Sequence, residues 1–240
     1  VAQTQRGERI LEAAGELLLA WGYRRVTIDE IARRAGVGKG TVYLHWKTKD
    51  ALLLAVVLRA KAGSLHRQLE RMRADPLEIL PSRMMCGLYL DHLDDPVLRA
   101  LHSDDSDVLG RLNDTAKQEL AELMAHGDRI LRRHLDVLRG HGLLRDDIEV
   151  AHQHYAMMAV TAGFFMAETL QAGPPLPPAA RIDILAHTLR GVLETPDDHD
   201  PAAPDAHRAP AVAAVAPEII ALYEQLEELS SAEMRRQLRD

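Results

Sequence analysis

The stretch Thr27–Lys49, TIDEIARRAGVGKGTVYLHWKTK, decides the fold. It predicts a short helix, a tight turn and a second short helix, the layout of a helix-turn-helix DNA reader. Thr27 followed three residues later by Glu30 is a capping box. The hydroxyl takes an orphan backbone N–H, and the carboxylate reaches back to the N–H of Thr27. Ile28, Ile31 and Ala32 give the first helix one apolar face. Gly36 stands where a left-handed C-cap is needed, and Val37 plugs the turn. Gly38 or Lys39 opens the second helix, and Val42 with Leu44 or Trp46 returns to the core. Lys39, Gly40, Thr41, Tyr43 and His45 are left facing outward. A cation, two small residues, a phenol and an imidazole suit close approach to phosphates and base edges.

The flanks sharpen this reading. Arg6–Trp21 is an amphipathic helix with Ile10, Leu11, Ala14, Leu17 and Leu18 on one side, ended by Gly22. Thr48 is the N-cap of a further helix beginning near Asp50. The string ILEAAGELLLAWGYRRVTIDEIARRAGVGKGTVYLHWKTKDALLLAV closely resembles the N-terminal domain of the tetracycline-repressor-like (TetR) family of bacterial regulators. The resemblance covers about the first fifth of the chain. It rests on the GY entry before the cap, the IA-x-x-AGV turn, the GTVY-x-HW recognition helix and the K-x-K exit.

Composition agrees with a globular helical protein. The chain has 240 residues, ordinary apolar content, and only two Trp, five Tyr and two Phe, so its core is expected to be mostly aliphatic. One cysteine, Cys86, excludes an intramolecular disulfide and fits a reducing cytoplasm. No apolar run approaches membrane-spanning length, and no signal peptide is visible, so no membrane partner is expected. The net charge of −7 divides unevenly. Residues 1–50 hold nine Lys and Arg against six acids, giving +3, and the remainder carries −10. A basic head on an acidic body suits docking to DNA at one end.

The expected class is all-α, with no strand-like alternation anywhere. Residues 1–50 form a three-helix DNA-binding domain, 51–195 a larger helical regulatory and dimerisation domain, and 196–240 an extra linker and helix. Asp50–Arg73 reads as one long helix, broken at Asp75-Pro76. Leu77–Leu93 reads as a buried central helix. Asp94-Asp95-Pro96 starts a short helix to His102, and Ser103–Asp107 is a polar loop or cap. Thr115–Arg139 reads as one amphipathic helix with Leu120, Leu123, Met124, Ile130, Leu131, Leu135 and Leu138 inward. Ile148–Gln171 and Ala179–Glu194 follow, separated by the connector Gly173–Pro178. Thr195–Pro217 has linker composition. Pro217–Arg239 carries an apolar stripe of Ile219, Ile220, Tyr223, Leu226 and Leu229, too large for a lone helix, which predicts docking on the body.

The resemblance implies more than the residues do by themselves. Family members read DNA from the first domain and dimerise through their last two long helices. Here that implies an interface of Tyr155, Met158, Ala162, Phe165, Ile182, Leu185 and Leu189. It also implies an effector pocket among the central helices. Met84, Cys86, Tyr89, His92, Met124, Met158, Phe164 and Phe165 are its candidates, and few polar groups among them point to a mostly apolar small molecule.

Other chemistry finds little support. His152 and His154 are two apart and lie on different sides of a helix. No His-x-x-x-His pair occurs, and the lone cysteine has no thiolate partner, so no metal site is expected. There is no phosphate loop and no nucleophile elbow, and no cofactor is expected. The acidic run Asp104, Asp105, Asp107 reads as a solvated loop. The expected function is therefore a cytoplasmic, homodimeric, one-component transcriptional regulator of repressor type and not an enzyme. Its partners are a palindromic double-stranded operator, a second copy of itself and a small effector. Thr27, Lys39, Gly40, Thr41, Tyr43, His45 and Lys49 would meet DNA, with Lys39 on a base and Tyr43 and His45 on phosphates. Two competing readings are an adaptor acting through the C-terminal helix and an all-helical enzyme with a vestigial reader.

Overall fold

The computed structural model describes residues 2–170, 174, 176–196 and 207–237. The helices are α1 (Ala2–Arg25), α2 (Ile28–Ala35), α3 (Lys39–His45), α4 (Lys49–Ala74), α5 (Pro81–Asp94), α6 (Pro96–His102), α7 (Ser106–Leu109), α8 (Leu112–Glu119), α9 (Ala121–Gly140), α10 (Val150–Leu170), α11 (Pro178–Leu193) and α12 (Ala209–Gln237). A 3-10 turn at Pro76–Ile79 precedes α5. Among the described residues the extended pairing is a single bridge, Leu144 to Glu194. The all-α expectation holds.

By packing, the chain falls into two compact units. One comprises Val1–Gly63, Asp95–Met124 and Glu228–Asp240, and the other Ser64–Asp94 and Ala125–Glu227. These units do not follow the expected boundaries 1–50, 51–195 and 196–240.

The first unit holds the reader and packs α6, α7 and α8 into the same core. Ile10, Leu18, Ile31, Val42, Trp46, Leu52, Leu53 and Leu112 are fully buried there. Each such aliphatic side chain removed from water contributes about 1.5–3 kcal/mol. Gly22 breaks α1 at φ 74°, as expected of its position. A Cβ there would lie 2.3 Å from the Asp107 carbonyl oxygen, so only glycine lets α1 lie against α7. The Tyr23 hydroxyl donates to Asp50 Oδ1 at 2.6 Å and accepts from Arg111 Nε at 2.8 Å. Burial and the Asp50 carboxylate push its pKa up. This buried phenol ties the end of α1 to the starts of α4 and α8.

The second unit has its own core, built on Met72, Ile79, Leu80, Met84, Tyr89, Leu135, Leu138, Met157, Leu185, Leu189 and Leu193. Two expected helices are corrected here and at the unit boundary. Leu77–Leu93 is not continuous: Pro81 has no N–H to carry a helix on, so the segment begins as a 3-10 turn and restarts as α5. Thr115–Arg139 is divided at Leu120, which leaves helical geometry at φ −107°, ψ 14° while its side chain goes into the first core. Asp91, 4% exposed, joins α4 to α5 by accepting from Ser64 Oγ at 2.5 Å, Arg67 Nε at 2.8 Å and Arg71. Burial raises its pKa, but the bonds from Arg71, Ser64 and Arg67 outweigh that and hold it below the usual value.

The C-terminal helix docks in the second unit, as its stripe predicts. Val212, Val215, Ala216, Ile219 and Tyr223 belong to that core, while Leu229 stays 38% exposed. The helix starts at Ala209, eight residues before the expected Pro217, and carries that proline inside it. Pro217 has no N–H to give the Ala213 carbonyl, and both residues are exposed to solvent. Of the expected linker, residues 197–206 lie outside the described residues, as do Gly173 and Pro175 of the connector. The described ends of the linker are pinned together. Buried Arg208 donates to Glu194 Oε2 at 2.5 Å and to the Thr195 carbonyl, and Glu194 Oε1 accepts from Ser82 N at 2.9 Å.

Candidate nucleic-acid interface

The reader is built as its sequence dictates. Thr27 Oγ1 caps α2 by accepting from Glu30 N at 3.3 Å. The reciprocal half of the capping box is replaced, because the Glu30 carboxylate pairs with Arg33. Gly36 at φ 65°, ψ 40° ends α2 and bonds back to the Ala32 and Arg33 carbonyls. Val37 N closes on Ala32 O at 3.0 Å, and Gly38 starts α3. Val42 and Trp46 are fully buried and clamp α3 onto α1 and α2.

The face left open is partly the expected one. Lys39, Gly40 and Tyr43 are exposed, and Thr41 is half-buried. A Cβ on Gly40 would have nothing within 4 Å, so the backbone there is bare. Lys39 Nζ donates to Asp29 Oδ2 at 2.8 Å, and that bond and charge hold its pKa above the usual lysine value. Arg34 Nε donates to Glu16 Oε2 at 2.7 Å. Several cations of the head are thus already paired with carboxylates of the same unit.

Of the two candidates to return to the core with Val42, the fold takes Trp46, and Leu44 is 80% exposed. Residues two apart on a helix project about 200° from each other, so Val42 and Leu44 cannot both be inward. That signal was available in the spacing. His45 is half-buried, its ring 5.4 Å from the Trp46 ring and packed near Gly7 of α1. The Lys49 ammonium works inside the fold. It donates to the Tyr23 and Val26 carbonyls at 2.8 and 3.2 Å and lies 4.3 Å from the Tyr23 ring centre.

The expected effector residues are partly gathered. Tyr89, His92, Phe164 and Phe165 form one ring cluster in the second unit, with His92 and Phe165 stacked at 4.7 Å and Tyr89 and Phe164 edge-on at 6.1 Å. Cys86 lies on the same helix, its Sγ 3.5 Å from the Ile182 carbonyl, and burial pushes its thiol up to about 11. Arg181 Nη1 donates to the Tyr89 hydroxyl at 3.2 Å. Met84 is drawn away to the Tyr223 hydroxyl at 3.3 Å. Met124 and Met158 are corrected: both are nearly half exposed, and Met124 belongs to the first unit.

The expected dimer residues divide in the same way. Leu185 and Leu189 are fully buried and Phe165 is 8% exposed, all within the chain's own core, and Ile182 packs against it. Tyr155 (74% exposed), Met158 and Ala162 face outward on α10, and Met166 and Leu170 extend their stripe. Ile184 is the exposed large apolar residue of α11.

Among the described residues no group of three His, Cys, Asp or Glu side chains is placed to hold a metal ion, and no helix is long and apolar enough to cross a membrane. With Ile219 and Tyr223 buried in the chain itself, an adaptor face on α12 loses its apolar centre.

Residues 10–56 match the bacterial regulatory proteins of the tetR family. Over these residues the chain carries the N-terminal domain of that family. An uncharacterized HTH-type transcriptional regulator, YerO of Bacillus subtilis, is 28% identical over 148 residues, 59% of this chain and 49% of its own. The fatty acid metabolism regulator protein of the same organism is 28% identical over 133 residues, 55% of this chain and 63% of its own. The chain spans about half the length of the first curated relatives it matches. Beyond the tetR-family reader the likeness is one of fold. The crystal structure of the transcriptional regulator FadR from Bacillus subtilis in complex with stearoyl-CoA superposes with a TM-score of 0.61 at 19% identity, covering 76% of this chain and 96% of that one.

Proposed function

We propose that the chain is a homodimeric one-component transcriptional regulator of repressor type, acting in the cytoplasm. Each protomer lays α3 in the major groove of one half of a palindromic operator, and a small effector bound in the body releases it. The observation that carries this is the open face of α3. Lys39 and Tyr43 flank a bare backbone at Gly40 on a domain whose own core is complete without them. Lys39 contacts a guanine edge after leaving Asp29, Thr41 and Tyr43 contact the backbone or a base, and His45 reaches a phosphate from the side of α1. Thr27 and Lys49 offer the backbone N–H groups at the starts of α2 and α4. Release follows because two half-sites cannot both be met once the heads change separation.

The ring cluster Tyr89, His92, Phe164 and Phe165 supports an apolar effector. The fatty acid regulator among the relatives makes a long acyl chain the first probe, and stabilisation of the purified chain by an acyl thioester tests it. The dimer forms through the outward stripes of α10 and α11. Selection of duplexes from a random library by the full chain tests DNA reading. A palindromic sequence should emerge, and Lys39→Ala should cost about 1–3 kcal/mol on it and relax one base position. No enrichment over random duplex would end the reading.

A further inference from the structure

Leu44 is the most exposed large apolar side chain among the described residues, at 80%. It stands on α3, one turn after Gly40 and Thr41, so the three share a face. Single exposed leucines elsewhere need no explanation. This one lies beside a bare glycine backbone on the open face of α3, with nothing within 4 Å of the Gly40 Cβ position. The fold does not use it, since Val42 and Trp46 supply the clamp that holds α3. Next to it in sequence stands the Tyr43 ring, 46% exposed, whose phenol suits a DNA surface.

A DNA major groove offers one apolar group to such a side chain, the C5-methyl of thymine. Phosphates and the other base edges are polar and give an isobutyl group nothing. We propose that Leu44, five residues along α3 from Lys39, reads a thymine methyl in each half-site. Gly40 and Thr41 permit this by bringing the α3 backbone near enough for a short aliphatic side chain to reach the groove floor. The operator class is thereby narrowed to half-sites carrying a thymine at a fixed offset from the Lys39 base. This deepens the proposed DNA-reading function and rests on it.

The test uses the full chain and the duplex it selects from a random library. Each thymine of a half-site is replaced in turn by deoxyuridine, which keeps pairing and removes only the methyl. Affinity should fall about fourfold per half-site at one thymine, the size expected for one methyl kept from water. Leu44→Ala should weaken binding to the thymine duplex by at least that factor and be indifferent to uridine at the same position. It should keep the wild-type response elsewhere. Leu44→Met, which restores an apolar tip, should regain the sensitivity. Because Leu44 is solvent-exposed, both variants should unfold at the wild-type denaturant midpoint. A wild type insensitive to every thymine-to-uridine change overturns the inference while leaving the reader function intact. So does a Leu44→Ala chain with undiminished sensitivity, or one changed only in its assembly. A chain that selects no sequence overturns both.

Discussion

Asp29 gives the sharpest consequence at the scale of single residues. Its carboxylate takes the Lys39 ammonium at 2.8 Å, with both side chains at least half exposed. Such a pair contributes little to folding, because water screens it and two mobile side chains must be held. Under the proposed function its effect falls on DNA binding. A carboxylate beside α3 repels phosphates and holds the ammonium proposed to reach a base edge. Asp29→Asn should therefore raise affinity for random duplex and steepen the fall of log affinity with log salt by up to about 0.9, the increment for one more neutralised phosphate. Denaturant stability should stay within about 0.5 kcal/mol of wild type. Combining it with Lys39→Ala should erase the gain; a gain that survives would mean Asp29 acts through general repulsion alone. Sequence legibility at this scale was mixed. The cap at Thr27 and the left-handed Gly36 follow from local chemistry and were readable. Lys49 and Asp29 were not, because their partners, the Tyr23 carbonyl and Lys39, meet them only through the fold.

Among the elements, α12 is held by a buried polar contact as well as by its apolar stripe. His134 of α9 is fully buried, with Nε2 2.9 Å from the Ile79 carbonyl and Nδ1 3.0 Å from the Tyr223 hydroxyl of α12. A carbonyl only accepts, so Nε2 carries the proton and Nδ1 accepts from Tyr223. Protonating Nδ1 would place a charge in a fully buried site, and that burial pushes the His134 pKa down to about 4 from 6.5. The unfolded chain therefore takes the proton first as pH falls. The stability from His134 is fully present above about pH 6.5 and is lost progressively toward pH 4. Between pH 7.5 and 5 this should remove about 2 kcal/mol of unfolding free energy in denaturant titrations. His134→Gln should be less stable at pH 7.5 and show a smaller loss on acidification. His154, also depressed by burial, remains in both proteins and cancels in the comparison. An unchanged pH dependence in the variant would assign the acid sensitivity elsewhere. The docking of α12 was legible from its stripe. Its start at Ala209 was not, because alanine, proline and valine in 209–217 read locally as linker, and only burial of Val212 and Val215 makes them helix.

For the whole molecule the question is which surface remains for a second copy. Periodicity marks apolar positions on α10 and α11 but cannot say whether a stripe faces its own core or a partner, since both environments remove the same groups from water. The fold settles part of this: Leu185 and Leu189 went inward, and the outward set is Tyr155, Met158, Ala162, Met166 and Ile184. These combine large side chains with small ones on adjacent helices, which permits close helix approach. Two substitutions on α11 then separate assembly from folding. Leu185→Glu places a charge in a fully buried site and should unfold the chain, so loss of dimer there is uninformative. Ile184→Glu, at a position 46% exposed, should leave the denaturant midpoint of the isolated protomer nearly unchanged. It should shift sedimentation from dimer to monomer at micromolar concentration. Operator affinity should then drop by two orders of magnitude or more, because linking two half-site contacts multiplies affinity by about 10²–10⁴ without any new contact. Affinity for one isolated half-site should not move. An Ile184→Glu chain, and a Met158→Glu chain beside it, that both remain dimeric and bind the full operator as wild type would place the interface away from α10 and α11.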